Sequence, residues 1–184
     1  MTERELMLSG GLYLATDPEL VSLRLRAQTL SHRYNATEPQ QVQERRRILD
    51  ELFGALGKDA LIEPPFRCDY GAQIRAGRKL FINYDCIILD CAPVEFGDDV
   101  LVGPRVQILT ATHPIDPHVR LLGREMAKPI RIGDGAWIGA GAILCPGVSV
   151  GAGAVVGAGS VVITDVPEGM LAVGNPARLV RRVS

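Results

Sequence analysis

Ile132-Gly133-Asp134-Gly135-Ala136-Trp137-Ile138-Gly139-Ala140-Gly141-Ala142-Ile143-Leu144 opens a stretch in which a branched aliphatic residue returns at every sixth position. The series is Ile132, Ile138, Leu144, Val150, Val156 and Val162. Glycine follows four of them (Gly133, Gly139, Gly151, Gly157), and four positions on comes a small or β-branched residue: Ala136, Ala142, Val148, Ala154, Ser160. A period of six is neither the 3.6-residue turn of a helix nor the two-residue alternation of an ordinary strand. A parallel β-helix needs it, because each short strand plus its bend must deliver one aliphatic side chain to a narrow interior. Three such sides make a triangular coil of about 18 residues, with strands of successive coils roughly 4.8 Å apart.

Composition agrees with a thin interior. The chain has 184 residues, 47% hydrophobic and 22% charged, with 20 glycines and only 5% aromatics, which reads as one soluble domain with a modest appendage. A formal net charge of −1 gives no electrostatic ground for binding nucleic acid or an anionic membrane. No apolar run approaches the ~18 residues of a spanning helix, and Met1 to Gly10 is too charged and short for a signal peptide. Cys68, Cys86, Cys91 and Cys145 have neither CxxC nor zinc spacing and read as reduced thiols of a cytoplasmic protein.

Outward from the repeat, the chain divides into an N-terminal helical subdomain (1–61), a β-helix (62–166) with an extruded loop (109–131), and a closing segment (167–184). Asp17-Pro18 reads as N-cap and first helical residue, and Leu20, Leu23, Ala27, Leu30 and Tyr34 line one face of a helix to about His32. Asn35-Ala36-Thr37 breaks it. Thr37 with Gln40 suggests a capping box for a second helix that buries Val42, Leu49, Leu52, Phe53 and Leu56 and stops at Gly57. The arginines of both helices (Arg24, Arg26, Arg33, Arg45, Arg46, Arg47) read as solvated surface. Glu63-Pro64-Pro65 marks entry to the coil. In-phase positions resume at Ile74, Leu80 and Cys86, slip near Cys91-Ala92-Pro93, and restart at Phe96, Val102 and Ile108. Residues 109–131, rich in proline, histidine and basic groups, cannot stack inside a coil; an insertion of that length is usually functional or disordered.

His113 is the most informative side chain, one of three histidines (with His32 and His118), and it sits where the extruded loop leaves the coil. With coils of about 18 residues plus a slip, Asn83 would lie near it on an adjacent layer. Glu125, in the same loop, is placed to hold one ring nitrogen and fix the tautomer, or to form a loop salt bridge.

The repeat resembles the hexapeptide-repeat family, whose members form left-handed parallel β-helices. Glu-Pro-Pro-Phe-Arg-Cys-Asp-Tyr-Gly (63–71), Phe-Ile-Asn-Tyr-Asp-Cys (81–86), Thr-Ala-Thr-His-Pro-Ile-Asp-Pro (110–117), Gly-Ala-Trp-Ile-Gly (135–139) and Gly-Asn-Pro-Ala-Arg (174–178) resemble its maltose and galactoside O-acetyltransferase branch. The resemblance spans nearly the whole chain, including Asp17 and Arg24-Leu25-Arg26. It implies acetyl transfer from acetyl-CoA to a sugar hydroxyl, with no metal, in a homotrimer whose active sites lie between subunits. It makes His113 the general base, a role worth typically about 10²–10⁴ in rate, and gives Asn83 the positioning of acceptor and thioester. The backbone N–H of Ala140, after Trp137-Ile138-Gly139, would meet the developing oxyanion. Asp17, Arg24 and Asp69 match sugar-binding positions, as charged groups that form bidentate hydrogen bonds to hydroxyls. Trp137, Ala140, Ala158, Thr164, Arg178 and Arg181 match coenzyme contacts.

Each of these has a plainer reading: Asp17 as an N-cap alone, Arg24 as solvated surface, Asp69 as a turn residue before Gly71. Two departures from the family pattern stand out. Ile163-Thr164-Asp165 lacks the lysine that relatives often carry there, and Cys91 stands where galactoside-specific relatives carry a sugar-binding aspartate. The second departure points to a maltose-type or broader acceptor, since Asp90 beside it would face the other way in a regular strand. Other acceptors remain open. His113 and His118 also echo the spacing of a γ-carbonic-anhydrase-like metal site, but three protein ligands are needed and no third histidine is suitably placed. A purely structural coil leaves the pattern of Asn83, His113 and Trp137 unexplained.

Overall fold

Each six-residue step folds as a strand of two to four residues and a bend, in a computed structural model that describes residues 1–183. Ser184, last residue of the closing segment, lies outside the described residues. Three parallel faces result. Face I stacks Ala55–Leu56, Ile74–Ala76, Val94–Phe96, Ile130–Ile132 and Ser149–Val150. Face II stacks Leu61–Ile62, Phe81–Ile82, Leu101–Val102, Trp137–Ile138, Val155–Val156 and Met170–Gly174, closed by the antiparallel Ala177–Arg182. Face III stacks Phe66–Cys68, Cys86–Leu89, Gln107–Leu109, Ile143–Leu144 and Val161–Val162. This is the mainly β parallel helix that the six-residue beat requires.

The interior is a set of aliphatic columns. Ile62, Ile82, Val102, Ile138 and Val156 stack up face II, each at most 1% exposed. Burying such a side chain contributes about 1.5–3 kcal/mol. The glycine after each aliphatic has a separate cause. A β-carbon on Gly139 would fall 2.5 Å from the backbone nitrogen of Ala158, and one on Gly103 would fall 2.7 Å from that of Ala140. Neighbouring coils touch backbone to backbone at these bends, so no side chain fits.

The coil length is not uniform. Ile132 pairs with Val150, eighteen positions on, but Ile74 pairs with Val94, twenty on. The two extra residues sit at the corner between faces III and I in each lower coil, around Asp69-Tyr70 and Asp90-Cys91. This corrects the expected phase. Phe81 pairs with Leu101 and Ile87 with Gln107, so Leu80 and Cys86 stack below Val100 and Val106 rather than in the column of Val102 and Ile108.

The first coil strand, Ala55–Leu56, lies ahead of residue 62, directly after the helices. Helix α1 (Glu3–Leu8) carries a capping box between Thr2 and Glu5 that the sequence reading passed over. Helix α2 (Pro18–Asn35) is capped by Asp17, whose carboxylate accepts from Glu19 N at 3.0 Å. At its far end Asn35 brackets the backbone of Phe66, donating at 2.9 Å and accepting at 2.8 Å, and the Tyr34 hydroxyl donates to Ile62 O. The helix thereby covers the open lower edge of the solenoid, which would otherwise invite pairing with another chain. Helix α3 (Val42–Leu52) has no Thr37 capping box: Gln41 occupies its N-cap position without a side-chain bond, and Thr37 instead donates to Tyr34 O and accepts from Arg45 Nε. Val42 is exposed, while Ile48 joins Leu49 and Leu52 in the core. Arg46 is not simply solvated; it caps Leu56 O and Gly57 O at 2.9 and 2.8 Å. No described helix is long and apolar enough to cross a membrane.

Residues 109–131 are ordered. Ala111–Thr112 and Arg124–Ala127 form an antiparallel hairpin with helix α4 (Pro117–Arg120) near its tip, and the chain's own Tyr13–Leu14 adds a third strand.

Replacing Gly139 by alanine is expected to lower the unfolding free energy by about 1–3 kcal/mol, read as a fall in denaturant midpoint at constant slope. A variant as stable as its parent would show that the coils do not meet at that bend.

Candidate functional site

The longer corner between faces III and I gathers most of the chain's buried polar chemistry. Asp90, 0% exposed, accepts backbone N–H groups of Tyr70 at 2.8 Å, Asp69 at 3.1 Å and Gln73 at 3.3 Å. Burial pushes its carboxyl up from 3.8 to about 7, against the pull of those N–H donors. Asp90 thus points inward and pins the loop of the coil below; Asp69 lines a pocket of about 400 Å³ between α2 and face III, with Ser31, His32 and Cys68, while Tyr70 is buried. The Cys91 thiol donates to Asp69 Oδ2 at 3.3 Å. Burial raises the Asp69 carboxyl, opposed by that thiol bond and by Arg24. Burial likewise raises Cys91, and it raises Tyr70 to about 12. Both therefore stay protonated near neutrality and act as hydrogen-bonding groups, not nucleophiles.

Arg24 is not solvated surface. From α2 it donates to the Tyr70 hydroxyl at 2.8 Å and to Ala15 O, with its guanidinium carbon 5.7 Å from the Tyr70 ring centre. Asp17, one of the expected sugar contacts, spends one carboxylate oxygen on capping α2.

His113 follows the strand Ala111–Thr112 and is exposed. The hairpin pairs Ala111 with Ala127 and Thr112 with Met126, so the next step sets His113 across from Glu125. Directly opposed residues on such a ladder share one side of it. Glu125 also pairs in register with Tyr13, whose hydroxyl donates to Glu125 Oε2 at 3.3 Å. The carboxylate is therefore held by Tyr13 rather than by the ring. Tyr13 and Met7 are fully buried, and with Tyr70, Cys91 and Ala127 they form a small second core beneath the hairpin. That core fixes the hairpin, and with it the position of His113.

The expected coenzyme residues fall elsewhere. Asn83, Ala140 and Ala158 stack at the corner between faces II and III, where Gly159 N donates to Ala140 O. Gly139 N and Gly141 N donate to Val156 O and Pro104 O, whereas the N–H of exposed Ala140 meets no acceptor among the described residues. Trp137 faces outward on face II, 53% exposed. Arg178 and Arg181 project from the closing strand, paired with Val173 and Leu171. Thr164, however, belongs to the III/I corner, at the end of the chain's last face III strand. Asn83 is thus not beside His113 on an adjacent layer, as the 18-residue spacing suggested. Within one chain, the two stand at opposite ends of face III. Tyr13 and Tyr70 carry no signal in the sequence that marks them for the site, whereas Cys91 and Asp90 are visible there only as a departure from the family pattern; the slip at Cys91-Ala92-Pro93 marks their corner.

Residues 6–57 match the family model for the maltose acetyltransferase hexapeptide capping motif, and residues 129–164 that for the bacterial transferase hexapeptide (six repeats). Nodulation protein L of Rhizobium meliloti is 49% identical over 178 residues, 97% of each chain. The crystal structure of a maltose O-acetyltransferase from Clostridium difficile 630 covers 100% of this chain and 98% of its own, at 46% identity and a TM-score of 0.99. A galactoside acetyltransferase in complex with coenzyme A covers 100% and 92%, at 35% identity and a TM-score of 0.97. The chain belongs to the maltose and galactoside O-acetyltransferase group. The capping motif runs from the second half of α1 through α2 and α3 to the first coil strand, the segment that carries Asp17 and Arg24. Among the described residues no group of three or more His, Cys, Asp or Glu side chains is placed to hold a metal ion.

Asp90 makes a pH prediction for this acetyltransferase. Its folded-state pKa is raised, so the native chain keeps a proton that the unfolded chain has released between pH 3.8 and about 7. Stability from this group is therefore fully present below that window and is lost as pH climbs through it. Wild type minus Asp90→Asn unfolding free energy should fall steadily as pH rises across that window, measured by denaturant midpoints. A pH-independent difference would contradict the assignment.

Proposed function

We propose that this acetyltransferase moves the acetyl group of acetyl-CoA to a hydroxyl of a mono- or disaccharide of the maltose or glucose type, with His113 as general base. The observation that carries the reading is the placement of His113: an exposed imidazole on a hairpin fixed by the buried core of Met7, Tyr13, Tyr70 and Cys91, which joins it to the corner that carries Asp69 and Arg24. Those groups, with Asp17, offer carboxylate acceptors and a guanidinium in the mixture that a hydroxyl-rich ligand requires. Cys91 adds a thiol where galactoside-specific relatives carry a carboxylate, which favours the maltose-type acceptor.

Chemistry follows from the groups in reach. His113 takes the hydroxyl proton as the sugar oxygen attacks the thioester carbonyl, and returns it to the departing sulfur as the C–S bond breaks. The free N–H of Ala140 meets the carbonyl oxygen as it gains charge. Asn83 aligns acceptor and thioester, and Glu125, held by Tyr13, orients the imidazole from across the hairpin. Trp137, Ala158, Thr164, Arg178 and Arg181 hold the coenzyme, the arginines toward its phosphates.

This set spans two corners of one prism, so a complete site takes the III/I corner of one chain and the II/III corner of the next. A ring of three chains with face III turned inward does this. Face III presents Ile87, Leu109, Ile143, Val161 and Ile163 outward, while face I presents Arg75, Glu95 and Arg131 to solvent. We read the assembly as a homotrimer and, from four free thiols and a coenzyme A thioester substrate, the compartment as the cytoplasm.

His113→Ala should lose roughly 10²–10⁴ of acetyl transfer while sedimenting as the parent does; undiminished turnover ends this mechanism. Acetyl-CoA consumption against glucose, maltose, galactosides and amino sugars identifies the acceptor. Thr164→Lys restores the cation missing beside the coenzyme and should tighten acetyl-CoA binding in calorimetry. Equal or weaker binding would move the coenzyme away from that corner.

A further inference from the structure

A groove of about 930 Å³ lies between α3 and the foot of face II, away from the pocket at the III/I corner. Val42, Leu49, Leu61, Ile62 and Tyr84 line it. Val42 is 67%, Leu61 49% and Tyr84 53% exposed, so the apolar part of its wall is uncovered. Charged groups border that apolar part: Arg45 pairs with Glu63 at 3.9 Å and Arg46 with Asp50 at 2.9 Å, and Lys58 and Asp59 stand at the rim. The tip of the hairpin that leaves the III/I corner has the converse problem. Ile115 is 94%, Leu121 84% and Leu122 67% exposed around α4, and nothing in their own chain covers them.

We infer that the hairpin tip of one copy seats in the α3 groove of its neighbour, so that α3 anchors the lid over an acceptor site belonging to another chain. The inference rests on the reading of the site as shared between copies. That reading brings the His113 end of one chain to the Asn83 end of the next. Tyr84, which lines the groove, is the residue after Asn83. Ile115 is two residues beyond His113, within about 7 Å along the backbone. The two uncovered apolar surfaces therefore arrive together at the contact that the chemistry already demands. The contact is heterologous, and its repetition closes a ring of three. An exposed aliphatic cluster and an apolar groove of matching character need no further partner; a free small ligand or an unrelated protein in the groove would leave the tip bare.

The test joins Val42→Cys with Leu121→Cys in one chain and oxidises the assembled protein mildly. Covalent dimers and trimers on a denaturing gel, absent from either single variant, are expected. A double variant no more cross-linked than the singles, or linked only within one chain, overturns the proposal. Val42→Glu places a carboxylate in the first turn of α3, where the helix dipole tolerates it, and spoils only the apolar seat. It should raise the acceptor KM about tenfold while calorimetric acetyl-CoA affinity stays at the parent value. An unaltered KM removes the lid from the proposal. Cross-linking needs no turnover, so a parent enzyme that acetylates no sugar would sink the sugar-acceptor reading without touching this one.

Discussion

Backbone contact between successive coils is the constraint from which the rest of the molecule follows. Strands of two or three residues are too short to hold a sheet together by side-chain pairing, so each bend must approach the one above it closely enough for N–H to meet C=O. Gly139 N reaches Val156 O at 2.7 Å, and a β-carbon there would overlap Ala158. That approach admits glycine after the aliphatic, and the six-residue step then returns an aliphatic side chain to the interior once per side. Rigidity at the corners is a consequence, and corners are where the chemistry sits. A thin coil has no concavity of its own; function must be added at its edges or between copies.

The III/I corner shows how such an addition is made. Two extra residues per lower coil push out a loop that would collapse onto the core if left untied. Asp90 ties it. Burying a carboxylate is costly unless hydrogen bonds are made to it, and here three backbone donors from the coil below converge on one side chain. The same loop exports Asp69 and Tyr70, to which Arg24 of α2 attaches. The helices thus do two tasks at once: α2 covers the lower edge of the solenoid through Tyr34 and Asn35, and supplies the guanidinium that fixes the pocket. The hairpin completes the corner by borrowing Tyr13–Leu14 as its third strand. Three segments far apart in sequence meet there around Met7, Tyr13 and Tyr70.

Much of this is legible in the chain, and the pattern of what is not has a physical reason. Periodicity reports side-chain direction, so the repeat from Ile132 to Val162 and the amphipathic spacing of α2 read directly. Leu80 and Cys86 show the weakness of the method: they point inward as periodicity says, yet belong to a different column, because register depends on the two residues inserted at a corner. Helix α3 misled because Thr37 has the composition of a cap but meets Tyr34 and Arg45 instead, tertiary partners invisible locally. Arg24 reads as surface by its neighbours in sequence; only the fold brings Tyr70 to it. Strand alternation turns Asp90 away from Cys91 and so inward, and that direction is what makes it the clamp. Motif resemblance picked out His113 and Asn83 but not their separation, since a motif carries residue type and order without distance.

That separation has the largest consequence. On the proposed mechanism a general base at His113 and a positioning amide at Asn83 stand at opposite ends of one face, and no bend in a stack of backbone-bonded coils can bring them together within a single chain. A site built from both would then need a second chain, because the only motion left is that of a whole prism beside another. A twofold arrangement would set like corners together, His113 against His113. Joining unlike corners requires a heterologous contact, and a contact of that kind is satisfied without loose ends only when rotation closes it into a ring. In the proposed ring one corner would meet each neighbour, and the third carries the bends of faces I and II, where Arg78 and Asp98 form a surface ion pair at 2.7 Å. The same glycines that let the coils stack would in this sense account for a shared site, because a fold able to flex would have needed only one chain.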